Sequence, residues 1–149
     1  NGVGYKPRFV IAQRETKEDG FAPLEPTALP SIDLKQQEHW QQVLIGMRAV
    51  VNGRTGTAHN ISKGASYDIA GKSGTAQVIS IAQDSEYEEA DIAQHLRDHA
   101  LFIAYAPIEQ PKIAVAVIVE NGGSGSRIAA PIARKVMDAY LLKRTTDGQ

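Results

Sequence analysis

Cysteine is absent from this chain of 149 residues, which excludes a disulfide framework and any chemistry that needs a thiolate. An apolar run of the ~20 residues that a helix needs to cross a bilayer is also missing, as is a signal peptide at the start. We therefore expect any membrane anchor or export signal to precede Asn1. Basic residues are not in excess, since 16 Lys and Arg stand against 17 Asp and Glu, and this balance argues against a nucleic-acid partner.

What the chain does contain is ordinary globular material, with 42% hydrophobic and 22% charged residues, enough for one domain or part of one. Near the N-terminus, residues 6–11 are predicted to form a short strand that Pro7 restricts to an edge position. Residues 14–30 carry charges, Gly20 and several prolines, which indicates an excursion over the surface.

The first predicted helix covers residues 33–52. Asp33 is a candidate N-cap with Gln36 as its capping-box partner, and Asn52-Gly53 is expected to end the helix in a left-handed conformation. Apolar residues at helical spacing form one stripe that we expect to pack in the core; its members are Trp40, Val43, Leu44, Met47 and Val51. Residues 53–68 are expected to form a connecting loop.

Three strands are predicted in the second half of the chain, within residues 69–82, 100–106 and 112–120. The short connection predicts that the last two form an antiparallel hairpin, and their near-continuous hydrophobicity indicates burial on both faces. A final helix over 129–142 has Pro131 in its first turn and one apolar stripe, namely Ile128, Ile132, Val136, Met137, Tyr140 and Leu141. This order predicts an α/β protein of the α+β type, with an antiparallel sheet flanked by helices.

Residues 70–76, with the sequence Ala-Gly-Lys-Ser-Gly-Thr-Ala, form the one segment with specific chemical content. Gly71-Lys72-Ser73 superficially matches the end of a phosphate-binding P-loop, but that pattern needs a glycine where the chain has Ser66. A P-loop also leads from a strand into a helix, whereas this segment leads into a β-branched strand. We therefore reject the nucleotide-binding interpretation.

The segment matches instead the Lys-(Ser/Thr)-Gly motif of penicillin-binding proteins and serine β-lactamases. Alternation along a strand places Lys72 and Gly74 on one face and Ser73 and Thr75 on the other. Because Gly74 has no side chain, a substrate can lie along the backbone like an added strand. The hydroxyls of Ser73 and Thr75 are candidates to bind a substrate carboxylate beside the Lys72 charge, and the Thr75 N–H suits an oxyanion hole.

A wider resemblance supports this match. Residues 70–78, the strand that begins at His99 and runs to Pro107, and the segment that ends in Val-Glu-Asn-Gly at Gly122 resemble class B penicillin-binding proteins. The Lys-Ser-Gly-Thr-Ala-Gln form at 72–77, together with residues 1–7, is similar to the penicillin-binding protein 2 branch of that family. The resemblance covers nearly the whole chain, but only about the last third of the family's transpeptidase domain.

The resemblance implies a peptidoglycan D,D-transpeptidase that crosslinks stem peptides ending in D-Ala-D-Ala during cell-wall elongation and that binds β-lactams. Lys72, Ser73 and Gly74 would be its third catalytic motif, and Ser73 with Thr75 would bind the substrate carboxylate and the oxyanion. No cofactor and no metal are implied. The implied location is the periplasmic face of the bacterial inner membrane, with an anchor in an N-terminal segment.

The family's other two motifs, Ser-x-x-Lys with the nucleophile and Ser-x-Asn, do not occur in this sequence. We therefore expect residues 1–149 to be the C-terminal portion of a single transpeptidase domain and to be inactive alone. Two alternatives remain open: a fragment of a D,D-carboxypeptidase or serine β-lactamase, which shares the Lys72 motif, and a non-catalytic binding module of the same fold.

The resemblance also implies a sheet of five strands, of which two belong to the missing N-terminal portion. The strand at 112–120 and the last helix are then expected to lack neighbours. We expect the isolated chain to be marginally stable, and to associate with itself or with its missing portion.

Several other polar residues have structural rather than chemical interpretations. His95 and His99 are spaced as in helical zinc sites but lack the accompanying Glu, so a structural role is favoured. An acidic run is expected to be a solvated loop; it consists of Glu86, Glu88, Glu89 and Asp91. Residues 122–125 do not fit a dinucleotide-binding pattern and are expected to form a mobile turn that borders the substrate groove.

Overall fold

The structure is a computed structural model that describes residues 3–36, 38–78 and 93–142. The chain divides into two compact units, Asn1–Gln41 and Gln42–Gln149. In the first unit, β1 (Ala12–Gln13) pairs antiparallel with β2 (Ala22–Pro23), and an isolated bridge joins Tyr5 to Ala28.

The strand predicted at residues 6–11 is wrong, because among the described residues no ladder of paired residues forms before Ala12. Phe9 and Ile11 are exposed, so the apolar side chains of this segment have no core of their own to bury against. Alternation can specify a strand only where one face is covered. Residues 14–30 are almost entirely exposed, as expected for a surface excursion.

Helix α1 (Glu38–Asn52) begins five residues later than predicted. Residues 33–36 are not helical, so Asp33 does not cap it. The helix does end at Asn52, but Gly53 is not left-handed and donates its N–H to Ala49 O at 3.0 Å. The side chain of Asn52 ends the helix instead, since its Nδ2 donates to Arg48 O at 3.2 Å and to Ile69 O at 2.7 Å.

The apolar stripe of α1 is only partly buried. Val51 is fully buried, as predicted, and Trp40 and Met47 are half-buried. Val43 and Leu44 are exposed, so the expectation of core packing is wrong for them.

The second unit contains the predicted antiparallel sheet, in the order β3 (Ala70–Ala76), β4 (His99–Ala106) and β5 (Ile113–Val119). Strands β4 and β5 form the predicted antiparallel hairpin, in register with Phe102 opposite Val117. On one face of the sheet, Phe102 and the alanines of β4 are buried. They form the core with Ile61, Ile69 and the last helix.

Burial of β4 and β5 on both faces is contradicted. Ile103 is 52% exposed and Ile118 is 67% exposed, and every second residue of β5 is exposed. We call the exposed side of the sheet, with Ile103, Ile118, Ala114 and Ala116, the outer face. Among the described residues, the last helix packs against the opposite face of the sheet. Exposed and covered side chains therefore alternate along the strands, as in a sheet that is covered on one face.

Helix α2 (Ala130–Leu141) follows a π-helical turn at Gly125–Ala129, so the helix starts close to the predicted position. Its buried residues are Ala130, Ala133 and Met137. The small alanines let the helix approach the sheet closely, and the larger apolar residues therefore lie on its far side. The expected orientation of α2 is wrong, because most residues of the apolar stripe that was predicted to face the core are exposed. These residues are Ile128, Ile132, Val136 and Tyr140.

A polar clamp holds α2 against the segment before β3. The Tyr67 hydroxyl donates to Asp138 Oδ1 at 2.6 Å, and Arg134 Nε donates to both Asp138 oxygens at 2.8 and 2.9 Å. Arg134 also donates to Ile61 O at 2.6 Å. One side-chain cluster thus joins the helix to a loop about 70 residues earlier. Within the described ranges, no helix has the length and apolar character to cross a bilayer.

Candidate active site

Strand β3 lies at one edge of the sheet. It pairs with β4 from Ala70 opposite Tyr105 to Ala76 opposite His99. Within the residues that the structure describes, its other edge has no partner strand. Gly71 lets β3 pack closely against β4, because a Cβ on Gly71 would lie 2.7 Å from the Phe102 ring. Because no described strand pairs with that other edge, residues 72–75 are open at the rim of the sheet.

The register assigns each side chain of the segment to a face. Lys72 lies opposite Ile103 and Gly74 opposite Leu101, which places both on the outer face. Ser73 lies opposite the buried Phe102, on the other face. Thr75 shares the face of Ser73, two positions along the strand. The predicted division of the four residues between two faces matches this register.

The backbone of β3 offers polar groups at the open edge. Lys72 Nζ donates to Ser73 O at 2.5 Å, which places this carbonyl on the exposed edge. Backbone groups two residues apart point to the same edge of a strand, so the N–H and C=O of Thr75 share that edge. In the described part of the chain, Lys72 forms no ion pair, and its side chain is exposed beside these groups.

Sequence reasoning did not single out Thr57, which the structure brings to this edge. Its Oγ1 lies 3.4 Å from Ser73 Oγ. The residue belongs to the loop between α1 and β3, 16 positions earlier in the chain. The one sequence signal for a tightly folded loop around Thr57 is the run of small residues Gly-Thr-Ala at 56–58.

The turn predicted to be mobile at 122–125 is packed against β3. Gly123 and Gly125 are buried, and the Gly123 N–H donates to Asp98 O at 2.8 Å. A Cβ on Gly125 would fall 2.4 Å from Gly74 O and 2.3 Å from Leu101 O. The turn therefore supports the backbone of the candidate segment, which corrects its description as mobile.

The remaining polar candidates lie elsewhere. His95 is part of a 3-10 turn at Gln94–Leu96, and His99 Nδ1 accepts a hydrogen bond from the Asn121 N–H at 2.9 Å. Among the described residues, no group of three or more His, Cys, Asp or Glu side chains could hold a metal ion. The acidic run falls outside the described residues: Glu86, Glu88, Glu89 and Asp91.

Comparison with known families defines the class of protein. The model of the penicillin-binding protein transpeptidase domain matches residues 1–138. The chain belongs to this family, which confirms the predicted fold class of an antiparallel sheet flanked by helices.

Individual relatives identify the branch. The chain is 47% identical over 120 residues to the peptidoglycan D,D-transpeptidase MrdA of Haemophilus influenzae, covering 80% of this chain and 18% of that protein. A crystal structure of penicillin-binding protein 2 from Pseudomonas aeruginosa in complex with WCK 5153 superposes with a TM-score of 0.66 at 48% identity, over 83% of this chain and 24% of the other. These similarities confirm the resemblance to class B enzymes of the penicillin-binding protein 2 type.

A third similarity concerns an acylated enzyme. The imipenem acyl-enzyme complex of penicillin-binding protein A from Mycobacterium tuberculosis has a TM-score of 0.63 at 26% identity, over 94% of this chain and 27% of that chain. In each case the chain spans about a fifth to a quarter of the longer protein that it matches.

Proposed function

We propose that this chain is the C-terminal portion of the transpeptidase domain of a peptidoglycan D,D-transpeptidase, which crosslinks stem peptides in cell-wall elongation and maintenance of cell shape. The proposal rests on family membership and on relatives that are D,D-transpeptidases. The single structural observation that carries it is the open edge of β3, where Lys72, Ser73, Gly74 and Thr75 are accessible.

The edge fits an extended peptide as substrate. A stem peptide that ends in D-Ala-D-Ala would lie beside β3 as an added strand and bond to backbone groups of Ser73 and Thr75. Because Gly74 has no side chain, the peptide can approach the backbone closely. The hydroxyls of Ser73 and Thr75 would hold the terminal carboxylate, and the Lys72 charge would attract it.

The reaction would be acyl transfer to a serine in the N-terminal portion of the domain. Its Oγ attacks the carbonyl between the two D-alanines, loses its proton to a general base, and forms a tetrahedral oxyanion that the Thr75 N–H stabilises. Collapse breaks the C–N bond, and the last D-alanine leaves with a proton. The amine of a neighbouring stem peptide then attacks the acyl-enzyme, which restores the serine and forms the crosslink. Lys72 would place its positive charge beside the reacting groups throughout.

β-Lactams would acylate the same serine, and the similar structure from Mycobacterium tuberculosis is an imipenem acyl-enzyme complex. The cell-wall substrate and the named relatives support a periplasmic location. We propose in addition an N-terminal anchor in the inner membrane. The N-terminal portion of the domain would then be the natural partner of the outer face of this chain, and an isolated chain would associate with itself through that face.

Covalent labelling with a fluorescent penicillin tests this proposal. The longer protein that contains residues 1–149 is expected to be labelled, and excess unlabelled penicillin is expected to prevent it. The isolated chain is expected to take no label, because it contains no Ser-x-x-Lys sequence.

A longer protein that carries Ser-x-x-Lys but takes no label would refute the enzymatic proposal and favour a binding module. Release of D-alanine from a pentapeptide without crosslinked product would instead indicate a carboxypeptidase. Label on the isolated chain would overturn its assignment as the portion without the nucleophile.

A further inference from the structure

The loop that carries Thr57 is held tightly on both sides of that residue. Gly56 lies against the last turns of α1, where a Cβ would fall 2.3 Å from Val50 O and 2.4 Å from Ala49 O. Ala58 is fully buried, and its N–H donates to Val50 O at 3.0 Å. The backbone around Thr57 therefore has little freedom, although its side chain is exposed.

The exposed side chain of Thr57 is directed to the candidate motif. Its Oγ1 lies 3.4 Å from Ser73 Oγ, the distance of a long hydrogen bond in which either hydroxyl can donate. The two hydroxyls come from separate segments, one from the loop after α1 and one from the open edge strand. A fixed backbone and a β-branched side chain with few rotamers make this position reproducible.

We propose that Thr57 is a positioning residue that orients the Ser73 hydroxyl toward the terminal carboxylate of the substrate. This inference rests on the proposed function, in which Ser73 binds that carboxylate. Thr57 donates its O–H to Ser73 Oγ, and the Ser73 proton is then free to be donated to the anion. No proton is transferred between the two hydroxyls.

The arrangement strengthens Ser73 as a donor for two reasons. A hydroxyl that accepts a hydrogen bond becomes a better donor, because bonds in a chain polarise one another. A hydroxyl that is already oriented also loses less rotational freedom when the substrate binds. Both effects act on the ground-state complex as well as on the transition state, so they lower the dissociation constant of the initial complex more than they change the acylation step.

Rapid kinetics of penicillin acylation in the longer protein test the proposal. Thr57→Val keeps the side-chain shape and removes the hydroxyl, and Thr57→Ser keeps the hydroxyl. Thr55→Val is a matched control in the same loop, at an exposed residue two positions earlier. The expected result is about three- to tenfold weaker initial binding of penicillin for Thr57→Val. The acylation constant should be nearly unchanged, and both other variants should behave like the wild type.

A double-mutant cycle with Ser73→Ala tests whether Thr57 acts through Ser73. Once Ser73 has no hydroxyl, Thr57→Val is expected to cause no additional loss. Thermal unfolding of each variant shows whether weaker binding results from a change in folding. Thr57→Ser should restore wild-type binding if the hydroxyl of Thr57 is responsible.

The outcomes distinguish this inference from the function on which it rests. If the wild-type protein is acylated and Thr57→Val binds penicillin equally well, the role of Thr57 is refuted and the enzymatic function stands. A full additional loss on the Ser73→Ala background would likewise refute positioning through Ser73. If the wild-type protein is not acylated at all, the proposed function itself fails.

Discussion

Gly125 lies so close to Gly74 that a Cβ on Gly125 would fall 2.4 Å from the Gly74 carbonyl oxygen. Two glycines distant in sequence thus bring the turn after β5 against the backbone of the candidate motif. Gly125→Ala is therefore expected to displace β3 and to destabilise the longer protein by about 1–3 kcal/mol, the usual cost of overpacking. Denaturant unfolding measures the stability, and the rate of penicillin labelling should fall with it.

Gly46→Ala is the matched control for this substitution. A Cβ at Gly46 meets nothing within 4 Å, and the residue is inside α1. The change is expected to stabilise the protein by roughly 0.5–1 kcal/mol, because alanine loses less conformational entropy in a helix than glycine does. Equal effects of the two substitutions would contradict the packing argument.

Lys72 is expected to be the most sensitive position of the edge strand. Lys72→Ala should lower the penicillin acylation rate of the longer protein roughly 100-fold, as loss of one group that stabilises developing charge typically does. Lys63→Ala, which removes another exposed lysine, should leave the rate unchanged. A Lys72→Ala protein that is acylated at the wild-type rate would remove this residue from the site.

The clamp between Tyr67, Arg134 and Asp138 gives the stability of the fold a defined pH dependence. Burial alone would raise the pKa of Asp138, but hydrogen bonds from Tyr67 and Arg134 and the Arg134 charge outweigh it and lower that pKa. A carboxyl whose pKa is lower in the folded state contributes stability above its unfolded pKa, and this is lost as the pH falls through the folded value. The unfolding midpoint should therefore decrease in acid.

Asp138→Asn tests this dependence, because it should flatten the acid side of the stability curve. Asp68→Asn is the control, since the exposed pair of Asp68 with Arg48 contributes little. An unchanged acid profile in Asp138→Asn would contradict the clamp as its source.

On the alkaline side, Tyr67 acts in the opposite direction. Burial, and after it the hydrogen bond and negative charge of Asp138, raise the pKa of the Tyr67 hydroxyl well above its ordinary value of 10.0. The contribution of a group with a raised pKa is complete below the unfolded value and is lost as the pH rises toward the folded one. Tyr67→Phe should therefore lower stability at neutral pH and weaken the loss above about pH 10, which thermal unfolding across pH will measure.

The outer face should determine the solution state of the isolated chain. Ile118 and Ile103 are more than half exposed there, and exposed apolar patches promote association. We expect the isolated chain to self-associate, and Ile118→Lys to shift it toward monomer in analytical ultracentrifugation. Phe9→Lys, which removes a fully exposed apolar residue outside this sheet, should not have that effect. A wild-type chain that stays monomeric at high concentration would refute the prediction.

The sequence predicted the sheet well because its signals are local. The short connection between β4 and β5 permits little except a hairpin, and residues 70–76 do form a strand. The β-branched residues that indicated that strand follow its end at Ala76, and residues 79–82 lie outside the described part of the chain. Burial was harder to predict, since periodicity shows that a face is apolar but not what covers it. Val51 and Val43 belong to the same stripe of α1, yet only Val51 meets the core.

The missed features are those that depend on contacts distant in sequence. The N-cap pattern at Asp33 was reasonable locally, but the helix begins at Glu38. Nothing near Thr57 in the sequence indicates Ser73 as its neighbour. The glycines at 122–125 predict a flexible turn, whereas Gly125 packs against the backbone of Gly74.

Asn52 connects the last turn of α1 to the residue that precedes the edge strand. Its side-chain amide donates both to the end of α1 and to Ile69 O, the residue immediately before β3. A mutation in the last turn of that helix would therefore alter how the edge strand is presented, without touching any atom of an antibiotic. Under the proposed function, such a mutation would change β-lactam acylation from a helix end remote from the bound drug.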